Sequence, residues 1–342
     1  MILAGEIGAE NSHLAIFEHE PDNFDKPKFK GTKESQKFTS LENLISEFLE
    51  EAKIEEPVYN ACFGMAGNVE EADQTCKISS PNLKWPEVVA DNLQQQELLS
   101  RASITLLNDV KAMGFGISQI TEDEVIDINP NSSPKEGDRA LIYAPGPGLG
   151  AARLYSDYGS FRPLPSEVGH AGIATPNRDE EDKKNLLKEL YKKSSHISAE
   201  QLLSWNGLVN IHKFFEKNSK FATSNRQDED AAKEIINAAL AKQDTSCQKA
   251  LKLFVSIFGA EAGNLALSFL ASNGIYISGE LALATLGKLP EYDNAFMKAF
   301  TAKEEKGGEQ KWCEHNASIP VKIIQRQDMV LLGAYVRAQP VV

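Results

Sequence analysis

Apolar positions open the chain in two short runs, residues 1–4 and 12–17, separated by the polar, glycine-containing stretch Gly5-Glu6-Ile7-Gly8-Ala9-Glu10-Asn11. Two β-prone runs around a tight polar connection predict a hairpin. Leu41, Leu44, Ile45, Phe48, Leu49 and Ala52 then recur at three- and four-residue intervals, and Thr39 and Glu42 stand at capping-box spacing before them. That pattern predicts an amphipathic helix covering one face of a sheet. Residues 58–64 and 104–107 read as buried strands, the second ending at Asn108-Asp109, with a helix over 87–100 between them. Residues 129–138 are almost all turn formers and predict an exposed loop before a strand at 140–144; a second strand at 152–156 and a turn at 157–159 follow. The second half carries helical periodicity over 180–193, 199–217, 229–242 and 246–270, interrupted by strands near 275–277 and 319–324. The charged stretch 303–309 reads as a solvated loop, and no internal repeat is visible by eye. Strand and helix alternate, which places the chain in the α/β class.

A length of 342 residues, 42% of them hydrophobic and 25% charged, accommodates two domains or one large α/β unit. The formal charge of −13 repels phosphate backbones and anionic headgroups, so neither nucleic acid nor a membrane surface is expected as a partner. The first residues lack a basic flank and break at Glu6, and no apolar run approaches the ~20 residues of a bilayer span, so a cytoplasmic location is expected. Cys62, Cys76, Cys247 and Cys313 lie far apart with no CxxC pair, which argues for reduced thiols rather than a zinc knuckle or disulfide framework.

Gly146-Pro147-Gly148-Leu149-Gly150-Ala151 fits G-x-G-x-x-A, with Glu167 about twenty residues on. A dinucleotide fingerprint must open a helix, whereas Ala152-Arg153-Leu154-Tyr155-Ser156 reads as a strand, so NAD is disfavoured. A phosphate cradle and a simple hairpin turn both stay open for this loop. Asn108-Asp109 sits at the carboxyl end of a strand, where α/β sheets expose ligand-binding groups; an Asx-turn or helix cap explains it equally well. Glu167 and His170 flank Val168-Gly169 and could jointly grip a polyol or form a surface ion pair. Glu200 follows Ser198 at a predicted helix start, where a carboxylate favours the dipole. Neither a G-x-S-x-G elbow nor a Walker A lysine motif is present.

Taken in order, Gly5-Glu6-Ile7-Gly8-Ala9-Glu10-Asn11, Leu106-Leu107-Asn108-Asp109, the 144–150 loop, Leu164-Pro165-Ser166-Glu167-Val168-Gly169-His170, Ser198-Ala199-Glu200, Gly263-Asn264-Leu265 and Val330-Leu331-Leu332-Gly333-Ala334 resemble the bacterial-type glucokinase family over essentially the whole chain. The resemblance implies a two-domain actin/hexokinase-like, ribonuclease H-like fold with a mixed sheet in each domain. It implies a small α/β domain of residues 1–109 plus 327–342, a large one of 110–326, and an active site in the cleft between them. Asn108, Asp109, Glu167, His170 and Glu200 match the sugar-hydroxyl positions, and Asp109 matches the catalytic base. Gly5, Glu6, Gly8 and Asn11 match the first phosphate element, with Glu6 as a Mg²⁺ ligand. Gly146, Gly148 and Gly150 match the second, and Ser278-Gly279-Glu280 resembles the adenosine element.

The family pattern at the first element is Gly-Asp-x-Gly-Gly-Thr-Asn; this chain has Glu6, Ala9 and Glu10 instead, and Glu280 replaces the second glycine of the adenosine pair. The implied activity is transfer of the γ-phosphate of MgATP to the primary hydroxyl of a hexose, glucose first among them, by a homodimer. The competing reading is a sugar sensor on the same scaffold, because a carboxylate at position 10 would oppose a phosphate.

Overall fold

The computed structural model describes residues 1–18, 24–72, 75–80, 82–177, 180–216, 228–304 and 310–340. The chain divides into two compact units, Met1–Ile120 with Asp328–Val342, and Thr121–Gln327.

The first unit is built on a five-stranded sheet of β1 (Ile2–Ile7), β2 (Asn11–Phe17), β3 (Phe29–Glu34), β4 (Asn60–Met65) and β8 (Ser103–Asn108), in the order β3-β2-β1-β4-β8. β1 to β3 are antiparallel, whereas β4 and β8 run parallel to β1. The opening hairpin is as expected, but β1 continues through Gly5, Glu6 and Ile7, so only residues 8–10 turn. Alternation along the strands divides the sheet's two faces. Leu14 and Ile16 join the cluster of α1 (Leu41–Glu51), where Phe48 lies 5.3 Å from the Phe29 ring. Ala15 and Phe17 face the other way, and Phe17 packs 4.4 Å from Tyr335 of the C-terminal helix Met329–Ala338. Helix α1 is capped by Ser40, which accepts from the Asn43 N–H, rather than by the Thr39 box.

The helix expected over 87–100 is instead two-residue β7 (Val88–Val89), one turn of α2 (Ala90–Leu93) and a 3₁₀ turn at Glu97–Leu99. β7 pairs with β6 (Thr75–Ser79), and β6 with β5 (Asn68–Ala72), as a separate small sheet. Helix α3 (Asp109–Gly116) follows β8 directly and packs against the C-terminal helix. The approach is close: a Cβ at Gly333 would lie 1.6 Å from the Ala112 carbonyl oxygen, so only glycine fits there.

The second unit repeats the plan. β10 (Arg139–Tyr143), β11 (Gly150–Asp157) and β12 (Ser160–Ser166) form an antiparallel meander; β13 (Gly274–Ser278) and β14 (Val321–Ile324) add in parallel to β10, and β9 (Val125–Asp127) closes the edge, in the order β12-β11-β10-β13-β14-β9. Its first five strands match the order and direction of β3-β2-β1-β4-β8, so a repeat invisible in the sequence is present in the topology.

The helices are α4 (Glu181–Tyr191), α5 (Ala199–Leu202), α6 (Trp205–Phe215), α7 (Asp228–Leu240), α8 (Thr245–Ser268), α9 (Glu280–Thr285), α10 (Pro290–Thr301) and α11 (Lys311–Ala317). The periodicity over 199–217 is split at Leu203 because Ser204 restarts the helix, accepting from the Gly207 N–H. Helix α8, 24 residues long, is apolar and long enough by composition to cross a membrane; here it packs against α6, α7 and α10 and carries much of the core. The Lys306-Gly307 part of the charged stretch lies outside the described residues.

Candidate active site

In the first unit, candidate residues collect at the carboxyl ends of β1 and β8 and the adjoining turns. Asn108 ends β8 and caps α3: its side-chain oxygen accepts from the N–H groups of Val110 (3.0 Å) and Lys111 (3.2 Å), and its amide donates to the Gly67 carbonyl (3.1 Å). Its side chain is thus spent on the backbone, as the capping reading anticipated. Asp109 is the first residue of α3 and half-buried; its Oδ1 accepts from the Val110 N–H at 2.9 Å, and the positive end of the helix lies at its carboxylate.

Glu6 lies in β1, opposite His13 of β2 and Gly64 of β4. Burial, reinforced by the Asp328 and Asp109 carboxylates, pushes its carboxyl up to about 7, with Lys30 opposing. Lys30 donates to Asp328 Oδ2 at 3.0 Å.

The turn at 8–10 is held from outside. Ser35 Oγ donates to the Gly8 carbonyl (2.7 Å), the Gln36 amide to that of Ala9 (2.8 Å), and the Ser35 N–H to that of Glu10 (2.7 Å). Ser12 and Ser35 hydroxyls, both buried, lie 2.8 Å apart behind it. A Cβ at Gly8 would meet the Asn11 carbonyl oxygen at 2.4 Å, which explains that glycine. Glu10 and Asn11 are exposed.

In the second unit, Glu167, His170 and Glu200 converge. His170 Nε2 is 3.8 Å from Glu167 Oε2 and its Nδ1 is 3.9 Å from Glu200 Oε1, with the imidazole and Glu167 exposed and Glu200 half-buried. Glu200 reaches further: its Oε2 accepts from the Leu149 N–H at 3.0 Å, tying the sugar-type residues to the glycine loop. That loop joins β10 to β11, and β11 begins at Gly150 where a dinucleotide fold would begin a helix, so the NAD fingerprint fails.

Packing accounts for its glycines. A Cβ at Gly146 (φ +135°) would collide with the Trp205 indole, and one at Gly148 would approach Glu200 Oε2 to 3.1 Å. The loop occupies the same topological place in its unit as residues 8–10 do in theirs, after the first strand of the meander. Gly279 (φ +109°) packs its α-carbon on the Ala144 carbonyl, and Ser278 accepts from the Ala144 N–H, so the 278–280 element abuts the glycine loop.

Sequence reasoning missed several supports. Glu280 is not a stray charge: Lys233 pairs with it and with Glu229, each at 2.7 Å, and its ammonium lies 5.7 Å over the Trp205 ring. The Glu229–Lys233 spacing of four was the one signal available. His212, Asp244 and Cys247 also bring their ligand-capable atoms within 4.8 Å of one another, fully buried among the helices; Asp244 Oδ1 is engaged in capping α8.

A family model described as Glucokinase matches residues 3–341. A glucokinase of Yersinia enterocolitica is 31% identical over 97% of this chain and 94% of its own length. Among solved structures, a glucokinase from an Antarctic psychrotroph superposes with a TM-score of 0.79 at 24% identity, covering 98% of each chain. A ROK-family glucokinase from Streptomyces griseus, in complex with glucose and AMPPNP, gives 0.61 at 18% identity, also covering 98% of each chain. Both structural likenesses carry the fold, a two-domain hexokinase-like architecture. The family match spans nearly the entire sequence, and on that ground the chain belongs to the glucokinase family of ATP-dependent sugar kinases.

Proposed function

We propose that this protein phosphorylates glucose at its primary hydroxyl, with MgATP as donor. The observation that carries the site is the coupling of Glu167, His170 and Glu200 to the glycine loop through the Glu200–Leu149 bond. One carboxylate thereby serves a hydroxyl-binding group and a phosphate-type loop together.

In this reading Glu167, His170 and Glu200 bracket adjacent sugar hydroxyls, and an epimer leaves one of them unpaired, which supplies specificity. Asp109 accepts the proton of the primary hydroxyl as that oxygen forms its bond to the γ-phosphorus; the bond from that phosphorus to the β,γ-bridging oxygen breaks, and ADP leaves. Asn108 holds α3, and with it Asp109, by capping. Carbonyl oxygens of residues 8–10 are already occupied by Ser35 and Gln36, which mutes their repulsion of a phosphate.

Mg²⁺ fits the first unit: burial, with the Asp328 and Asp109 carboxylates beside it, holds Glu6 near 7, and a cation among hard carboxylate oxygens relieves both. Glu6 and Asp328 would hold it, and its chemistry there is neutralisation of phosphate charge.

A panel of hexoses incubated with MgATP, with sugar phosphate quantified directly, tests the reading. Glucose 6-phosphate formation at a kcat/KM above that for epimers is expected; glucose binding with no sugar phosphate would leave a sugar sensor in its place.

A further inference from the structure

The segment after His170 is held by charges that belong to neither the sugar residues nor the phosphate loops. Glu261, on α8, accepts from the Ala174 N–H at 2.5 Å. Glu180, just before α4, accepts from the Asn177 N–H, also at 2.5 Å. Behind these carboxylates stand two lysines. Lys183 is 1% exposed, with its ammonium 4.0 Å from Glu180 and within the field of Glu261; burial pushes it down while both carboxylates hold it up. Lys303 donates to the Ala260 carbonyl (3.1 Å) and Asn264 Oδ1 (2.7 Å), and it too feels Glu261. Two negative and two positive groups thus form a neutral, largely buried set.

On its other side the same segment is fixed to the irregular stretch that leads into Glu200, through an isolated antiparallel bridge between Gly172 and Ser198. The Ile173 N–H donates to the Ile197 carbonyl (2.8 Å), the Ala199 N–H to that of Ala171 (3.0 Å), and the His196 ring nitrogen Nε2 lies 3.0 Å from the His170 carbonyl oxygen. Gly169 sits so close to Leu149 that a Cβ would lie 2.1 Å from its carbonyl oxygen. Residues 169–174 are therefore held on both sides, with the Ala174 bond to Glu261 closing the far end.

We infer that Glu261 is a positioning residue for hexose binding: its bond to the Ala174 N–H fixes where the 167–174 segment presents Glu167 and His170, while Lys183 and Lys303 balance its buried charge. The inference rests on the reading of Glu167 and His170 as sugar ligands. A carboxylate here has two separable properties, its reach and its charge. Reach sets the position of the segment. Charge satisfies the lysines, and removing it alone leaves a buried cation uncompensated.

Two variants separate them. Glu261→Asp keeps the charge and withdraws the oxygens by about 1.5 Å, one carbon–carbon bond. Glu261→Gln combined with Lys183→Met keeps the reach and removes one charge of each sign. Positioning predicts that Glu261→Asp raises the hexose KM by roughly tenfold, with the MgATP KM within about twofold of wild type, and that it blunts discrimination between glucose and its epimers. Glu261→Gln/Lys183→Met is expected to hold hexose KM within about twofold.

A purely structural, charge-balancing role predicts a wild-type hexose KM for the Asp variant, and that result overturns the inference, as does an equal rise in both KM values. Hydrogen exchange at the 171–177 amides supplies a second readout that needs no turnover. Faster exchange confined to that segment in Glu261→Asp supports the inference; unchanged exchange overturns it. His170→Ala serves as the control on the underlying reading: if it leaves hexose KM unchanged, the sugar site itself is misassigned, whereas a raised KM there with an inert Glu261→Asp defeats only the role given to Glu261.

Discussion

Glu6→Gln probes the crowding of carboxylates in the first unit. In an unfolded chain this side chain titrates near 4.5; in the folded protein burial and the neighbouring Asp328 and Asp109 charges move it to about 7. Between those values the native state keeps a proton that the unfolded chain has released, so stability falls as pH rises across the window. Below about 4.5 both states are protonated and Glu6 costs nothing; above about 7 both are ionised and the full penalty applies. A displacement from 4.5 to about 7 corresponds to about 3 kcal/mol as an upper bound. Glutamine cannot ionise and escapes the penalty.

Urea unfolding of the two proteins, followed by a probe in the first unit such as Trp85, is expected to show their stability difference shifting in favour of the glutamine variant from pH 4.5 to 7.5, then levelling. ¹³C-carboxyl NMR, with the Glu6 signal assigned by its loss in the variant, gives the titration directly, and Mg²⁺ should move it downward. A stability difference that is flat with pH, together with an ordinary carboxyl titration, would refute the argument that burial and the neighbouring Asp328 and Asp109 charges displace Glu6.

Asp109→Asn retains a hydrogen-bonding side chain at the start of α3 but cannot accept a proton; kcat is expected to fall at least a hundredfold with hexose affinity kept, and a kcat above about a tenth of wild type would remove Asp109 as the base. Glu200→Ala should raise the KM of both hexose and MgATP, because Glu200 also holds the Leu149 N–H, whereas Glu167→Ala should raise only that of hexose; steady-state kinetics with each substrate varied distinguishes them. Ala9→Gly/Glu10→Thr replaces an acidic side chain at an exposed turn with a hydroxyl donor, and a severalfold lower MgATP KM is expected; an unchanged value would show that Glu10 does not act on the phosphates.

Legibility followed the length and regularity of the elements. The opening hairpin, α1, α4, α7 and α8 were visible because apolar residues recur with the period of the element over two turns or more, or alternate along a strand. The 87–100 segment misled because its apolar positions serve three short elements in succession, and a two-residue strand such as β7 has no period to detect. Candidate site residues were found through local motifs, each only a few residues long. The Glu180–Lys183–Glu261–Lys303 set escaped because its members are up to 123 residues apart in number, and each reads alone as a solvated charge, three on helices and Lys303 at the head of a charged loop, where the structure instead ties Lys303 to Ala260 and Asn264. Only the fold brings them to one place.

The first unit is assembled from the two ends of the chain. Its C-terminal helix packs on β1, β4 and α3, with Gly333 pressed to the Ala112 backbone, while the second unit is one uninterrupted stretch from Thr121 to Gln327. During synthesis, which adds roughly 5–20 residues per second, the second unit is complete while the first still waits for its closing helix. The order of folding is then the reverse of the order of translation, and the face of β1 and β4 on which that helix rests stays uncovered until residues 329–338 leave the ribosome. Ribosome-bound chains arrested with residue 327 just emerged should resist limited proteolysis over 121–327 and be cut within 1–120; equal protection of both stretches would mean that the first unit closes without its last helix. A nonsense change anywhere before 329 therefore removes more than a tail, since it strips the cover from β1, which carries Glu6, and from α3, which begins at Asp109.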